Sequence, residues 1–162
     1  MKLGIISDTH DNVPVIKKAV EYFNSSGVEL VIHAGDYVSP FSFKPLLELN
    51  SNLVGVWGNN DGDRLALSRI SEGRIKDNFL VMERRGATIL VGHYFEALEA
   101  LVKSQVYDLI VYGHTHEAEI RKVGKTLVVN PGECGGWLYG KSTVAMVDLD
   151  SKEAQLISLG RI

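Results

Sequence analysis

Leu3-Gly4-Ile5-Ile6-Ser7-Asp8-Thr9-His10 sets the reading of the chain. A short apolar run rich in β-branched residues reads as a strand buried on both faces, and it runs straight into a carboxylate and an imidazole. The same construction recurs outward from it. Leu30-Val31-Ile32 leads to Gly35-Asp36, and Leu53-Val54-Gly55-Val56-Trp57 leads to Gly58-Asn59-Asn60-Asp61. Thr88-Ile89-Leu90-Val91 leads to Gly92-His93, and Leu109-Ile110-Val111-Tyr112 leads to Gly113-His114-Thr115-His116. Ligands of α/β sheets bind outside the carboxyl ends of the strands, so the repetition predicts that all five segments meet at one rim.

Helices are expected between these strands. In 13–23, Ile16, Ala19, Val20 and Phe23 recur at helical spacing, with Asn12 as cap, Pro14 in the first turn and Gly27 beyond the end. Further helices are expected from Ser39-Pro40, from Asp63 to about Ile70 with Gly73 as the stop, and over 95–104 on Leu98, Leu101 and Val102. Thr126-Leu127-Val128-Val129 and Thr143-Val144-Ala145-Met146-Val147 add strands in the last third. Alternation followed by strands predicts an α/β layered chain with a second sheet.

The 162 residues suit one domain, 1–162, with no linker or repeat, and the Gly-rich stretch 132–140 reads as a loop. Apolar residues make up 45% and charged residues 23%, ordinary for a globular protein. A formal charge of -3 offers no basic track for a nucleic-acid backbone, and Arg84-Arg85 and Arg121-Lys122 read as solvated turn charges. The single cysteine, Cys134, has no internal disulfide partner. The first residues lack the long apolar region of a signal peptide, and no apolar stretch approaches the ~18 residues of a membrane span. A cytoplasmic protein without membrane contact is expected.

The polar residues at the strand ends carry the chemistry. Residues i and i+2 of an extended segment point the same way, so Asp8 with His10 and His114 with His116 can each offer paired ligands. Asp8, His10, Asp36, Asn59, His93, His114 and His116 make seven donors, too many for one four-coordinate zinc and enough for two ions sharing a carboxylate. A nitrogen and oxygen set without thiolate suits Mn, Fe, Zn, Ni or Co better than Mg or Ca. A lone histidine is more often a core residue than a ligand, and His33, inside Val31-Ile32-His33-Ala34, is read that way. Four of the five histidines nevertheless stand at strand ends, His93 and His114 directly after glycines, which favours metal binding.

These motifs resemble the calcineurin-like metallophosphoesterase superfamily, whose pattern is D-x-H, G-D, G-N-H-[D/E], G-H and G-H-x-H. The likeness spans 8–116, continues into Asn130-Pro131-Gly132, and is most similar to the compact bacterial and archaeal phosphodiesterase branch. It implies a four-layer αββα fold, two packed β-sheets flanked by helices. It assigns Asp8, His10 and His116 to one divalent ion, Asn59, His93 and His114 to the other, and Asp36 as bridge. Mn2+ leads the expected ions, with Ni2+, Fe2+, Zn2+ and Co2+ also admitted. Asn60, Asp61 and Asp36 fall at the catalytic positions. Asn60 departs from the pattern, because the broader family has a histidine there and an amide cannot donate a proton as an acid at pH 7. Glu133 departs too, where similar proteins often carry a small hydroxyl residue.

The implied chemistry is hydrolysis of a small-molecule phosphodiester by a hydroxide held between the ions. Two ions of roughly +4 in total, offset by two carboxylates and the hydroxide, leave about +1 for a monoanionic diester. Two alternatives stand beside it: a non-enzymatic protein-interaction scaffold of the same fold, as a retromer subunit resembles these enzymes, and a metal-dependent nuclease. Tyr37, Phe95, Trp137 and Tyr139 are candidate pocket walls, each as readily ordinary packing. A homo-oligomer, dimer or tetramer, is the default assembly.

Overall fold

The computed structural model describes residues 1–161. Six strands form one sheet: β1 (Lys2–Ile6), β2 (Leu30–His33), β3 (Asn52–Val56), β4 (Ile75–Lys76), β10 (Lys141–Asp148) and β11 (Glu153–Arg161), in the order β11-β10-β1-β2-β3-β4. Strands β1 to β4 run parallel, while β10 and β11 add an antiparallel edge. The second sheet contains β5 (Phe79–Arg84), β6 (Ala87–Gly92), β7 (Leu109–Val111), β8 (Glu119–Val123) and β9 (Thr126–Asn130), ordered β5-β6-β7-β9-β8 with β6, β7 and β9 parallel. Helices α1 (Val13–Ser25), α2 (Pro40–Leu46) and α3 (Arg64–Ser71) connect the first sheet's parallel strands, and α4 (Leu98–Lys103) lies between β6 and β7.

The layers follow from the two-residue alternation of side chains along a strand. Leu3, Ile5, Leu30 and Ile32 of the first sheet meet Ile89, Val91, Leu109, Val111, Leu127 and Val129 of the second in one apolar core. Ile6 and Val31 face the other way, with Ile16, Val20 and Phe23 of α1 and Phe43 and Leu46 of α2. Leu90, Ile110 and Val128 face Val102 of α4. The result is helix, sheet, sheet, helix, as the family resemblance implies.

Several local expectations are corrected. Asn12 precedes α1 but makes no side-chain cap; its Nδ2 donates to Gly135 O at 2.7 Å instead. Two consecutive left-handed residues close α3, Glu72 with φ 51° and then the expected Gly73 with φ 76°. The helix expected over 95–104 is shorter, Leu98–Lys103. Strands β4, β5, β8 and β11 escaped the sequence reading. The first has only two residues and polar residues interrupt β8 and β11, whereas β5 opens with the apolar run Phe79-Leu80-Val81-Met82 and was passed over.

Candidate metal centre

Every segment named from the sequence reaches the same rim. Asp8 Nα donates to Gly35 O at 3.0 Å, joining the loops after β1 and β2, and the His114 amide donates to Asp8 Oδ2 at 3.1 Å, joining the first sheet to the second. The loops approach closely because they carry glycine. A Cβ on Gly113 would lie 2.0 Å from Ser7 Oγ and 2.7 Å from Asp8 Oδ2, and one on Gly58 would lie 2.1 Å from Asp36 Oδ1. The donors themselves occupy left-handed backbone, with φ of 51° at Asp8, 41° at His10, 61° at Asp36, 69° at His114 and 61° at His116. Such conformations are uncommon outside glycine and gather where the surrounding structure enforces them at functional sites.

Two groups of donors have ligand atoms within 4.8 Å of one another: Asp8, His10 and His116, and Asp8, Asp36 and His93. Asp36 Oδ2 of the second group also approaches the first, 3.6 Å from His10 Nε2 against 3.5 Å from His93 Nε2. Asn59 Oδ1 stands 2.8 Å from His93 Nε2 and 2.7 Å from His114 Nδ1, which brings the remaining two expected donors into the cluster. Asp8 thus belongs to both groups, where the sequence reading placed it in one.

The side chains fit cations by their lone pairs. His93 Nδ1 donates to Ala34 O at 2.8 Å, so in the neutral ring Nε2 is a bare acceptor aimed at two oxygens. Asp8 Oδ1 and His10 Nε2 are buried without hydrogen-bond partners. Buried acceptors facing one another need positive charge between them. Burial works against charge at each of these groups, yet their mutual pairing prevails. Asp8 is held below the usual carboxylate range chiefly by the neighbouring His10 imidazole, 3.8 Å away, and Asp36 by His93 and Asn60. His10 and His93 are raised above the usual imidazole value by Asp8 and Asp36, respectively.

The three positions expected to be catalytic take different parts. Asp36 belongs to the second donor group and approaches the first. Asn60 donates to it twice, from its amide to Oδ1 at 2.8 Å and from Nδ2 to Oδ2 at 2.7 Å. Asp61 does not face the cluster: its oxygens accept from Val38 Nα at 2.8 Å and Gly58 Nα at 2.6 Å, so it fastens the loop. Asp61 is therefore corrected to a positioning residue. Burial raises its carboxyl above the ordinary value.

Asn130 ties down the histidine loop, donating to Gly113 O at 3.1 Å and Thr115 Oγ1 at 3.0 Å, which explains the Asn-Pro-Gly segment. Glu133, almost fully buried, accepts from Trp137 Nα at 2.8 Å and Leu138 Nα at 3.0 Å, with Oε1 3.4 Å from His116 Nδ1. Of the aromatics considered as walls, Tyr37 is buried against His33 and Phe95 packs in the outer core, while Trp137 and Tyr139 are exposed. His33 is a core residue, as read. The sequence reading missed Arg64, although a cation in the first turn of α3 opposes the helix dipole and marks a broken local rule. Arg121 pairs with Glu119 and Glu99, and Arg85 with Glu29, so neither basic pair forms a free patch. The larger cleft, about 930 Å3, includes none of the cluster among its lining residues.

This arrangement of a layered double sheet and a histidine–carboxylate rim defines a class, and the sequence profile of the calcineurin-like phosphoesterase superfamily domain matches residues 1–152. The chain belongs to that superfamily. It is 45% identical over 165 aligned positions to Phosphodiesterase MJ0936 of Methanocaldococcus jannaschii, covering 98% of this chain and 99% of the relative. A solved archaeal phosphodiesterase superposes with a TM-score of 0.89 at 43% identity, covering 98% of this chain and 99% of that one. Zinc-complexed Vps29 of Entamoeba histolytica shares the fold, with a TM-score of 0.73 at 17% identity and coverage of 99% and 100%.

Proposed function

We propose that residues 1–162 act as one phosphodiesterase domain that hydrolyses small-molecule phosphodiesters with two divalent cations, manganese first among those its donors suit. One observation carries the reading: buried lone-pair donors face one another at the rim, Asp8 Oδ1 and His10 Nε2 without any partner. The name of the 45% identical relative supports it. Asp8, His10 and His116 would hold one ion and Asn59, His93 and His114 the other, with Asp36 shared. When bound, the pair supplies charge that neutralises a phosphate and lowers the pKa of water to make a nucleophile.

The chain positions what the ions polarise. Asn60 orients both oxygens of Asp36, and Asp61 holds Gly58 so that the Asn59 amide oxygen stays between His93 and His114. Asn60 cannot protonate a departing alkoxide, and general acid catalysis is typically worth ~100- to 10,000-fold. Esters with good leaving groups are therefore preferred. Bis(4-nitrophenyl) phosphate is expected to turn over faster than alkyl monoesters under saturating manganese, measured side by side. Equal or faster turnover of the monoesters contradicts the reading. The cytoplasm is its proposed location, in keeping with one buried thiol, Cys134.

A further inference from the structure

Beside the donor cluster lies a cleft of about 470 Å3, lined by Trp57, Arg64, Phe79 and Tyr94, with Asp77 and Asn78 at its polar side. Asn59 and His93 belong both to its wall and to the cluster, so cleft and cluster share a boundary. Its size falls within the range of small-molecule sites.

Three features point to the occupant. The first is aromatic surface that the core does not use: Phe79 is 60% and Tyr94 56% exposed, and the Tyr94 ring stands 4.9 Å from that of His114. The second is Arg64, whose Nη2 donates to Gly58 O at 3.0 Å while its guanidinium lies 5.3 Å from the centre of the Trp57 ring. That cation is fixed over an aromatic face and forms no ion pair among the described residues. The third is the pair Asp77 and Asn78, exposed side chains that make no hydrogen bonds among the described residues, an acceptor beside an amide that both donates and accepts. Rings to stack on and an edge to read suit a nucleobase.

We propose that this cleft is a subsite for a nucleoside arm of the substrate, so that the diester is a small nucleotide ester. Arg64 is the only lysine or arginine lining it among the described residues, too little positive charge to track a nucleic-acid strand. The proposal rests on the phosphodiesterase reading for the ester and on the cleft alone for the base.

Binding without turnover tests it. Trp57 and Trp137 are the only tryptophans, so a Trp137→Phe chain reports on Trp57 by fluorescence. The probes are AMP, ribose 5-phosphate and a ten-nucleotide oligoadenylate, titrated into chelator-treated protein. AMP is expected to bind at least about fivefold more tightly than ribose 5-phosphate, the lower end of a base–aromatic stack. Phe79→Ala and Tyr94→Ala should each reduce that advantage; Phe79 is exposed enough for its variant to fold, and either variant suffices. Equal binding of AMP and ribose 5-phosphate, an advantage untouched by both substitutions, or an oligoadenylate bound more than tenfold tighter than AMP overturns the proposal. An intact AMP preference without diester hydrolysis under any metal would refute the proposed function and keep the subsite. Diester hydrolysis with equal binding would do the reverse.

Discussion

His33 lies fully buried behind Asp36, its Nδ1 accepting from Gly35 Nα at 3.1 Å and its Nε2 facing Thr9 Oγ1 at 3.2 Å. Thr9 Oγ1 donates to Asp36 O, so the Nε2–H tautomer of His33 completes a chain that steadies the Asp36 loop. Burial pushes this imidazole down to about 3. The unfolded chain takes up that proton near the ordinary value of 6.5, so it binds more protons than the native state between 6.5 and about 3, and stability falls as pH is lowered through that window. His33→Gln should flatten the pH dependence of metal-free stability between about pH 6 and 4.5 by up to ~1.4 kcal/mol per pH unit. Urea unfolding across that range measures it, and an unaltered slope would count against a neutral His33. Glu133 Oε1 stands 3.4 Å from His116 Nδ1, placed as a carboxylate behind a ligating histidine would be if His116 holds an ion as proposed. Glu133→Gln is expected to weaken zinc binding by ~10- to 100-fold in calorimetric titration; unchanged affinity would leave Glu133 only its role in holding Trp137 and Leu138.

The loops after the parallel strands depend on close approach. Gly113→Ala would drive a methyl into Ser7 Oγ and Asp8 Oδ2, so turnover and metal content should both fall while the β1–β2 pairing persists. Metal analysis and circular dichroism of the variant separate that result from general unfolding. At this scale the sequence was informative wherever a strand was buried on both faces. Strands β1, β2, β3, β6, β7 and β9 are continuous apolar runs, and each of the first five ends at a donor. Strands β8 and β11 were silent because polar residues interrupt their apolar positions, while β5, apolar over Phe79-Leu80-Val81-Met82, was legible and passed over. The seven expected donors were legible because five separate apolar runs each lead into one or two of them. Asp61 was misread because a carboxylate that caps backbone amides looks the same in sequence as one that faces a cation, and Arg64 was passed over because its partners are backbone carbonyl oxygens of the loop before α3, which no residue type marks.

Across the whole molecule, three apolar layers hold two sheets and their helices so that the rim is built from both sheets at once. Ions binding there bind the native state and not the unfolded chain, so they should stabilise it by about 2.7 kcal/mol at a hundredfold excess over the dissociation constant. A thermal melt with manganese and then with chelator should show the midpoint rise and fall reversibly, and a midpoint indifferent to both would deny a site linked to folding. The left-handed backbone at Asp8, His10, Asp36, His114 and His116 has an evolutionary corollary. β-Branched residues fit these positions poorly, whereas glycine and asparagine fit them with ease. In a lineage released from selection for catalysis, the substitutions that erase the chemistry are therefore among those the backbone tolerates best, so activity can drift away while the architecture survives intact.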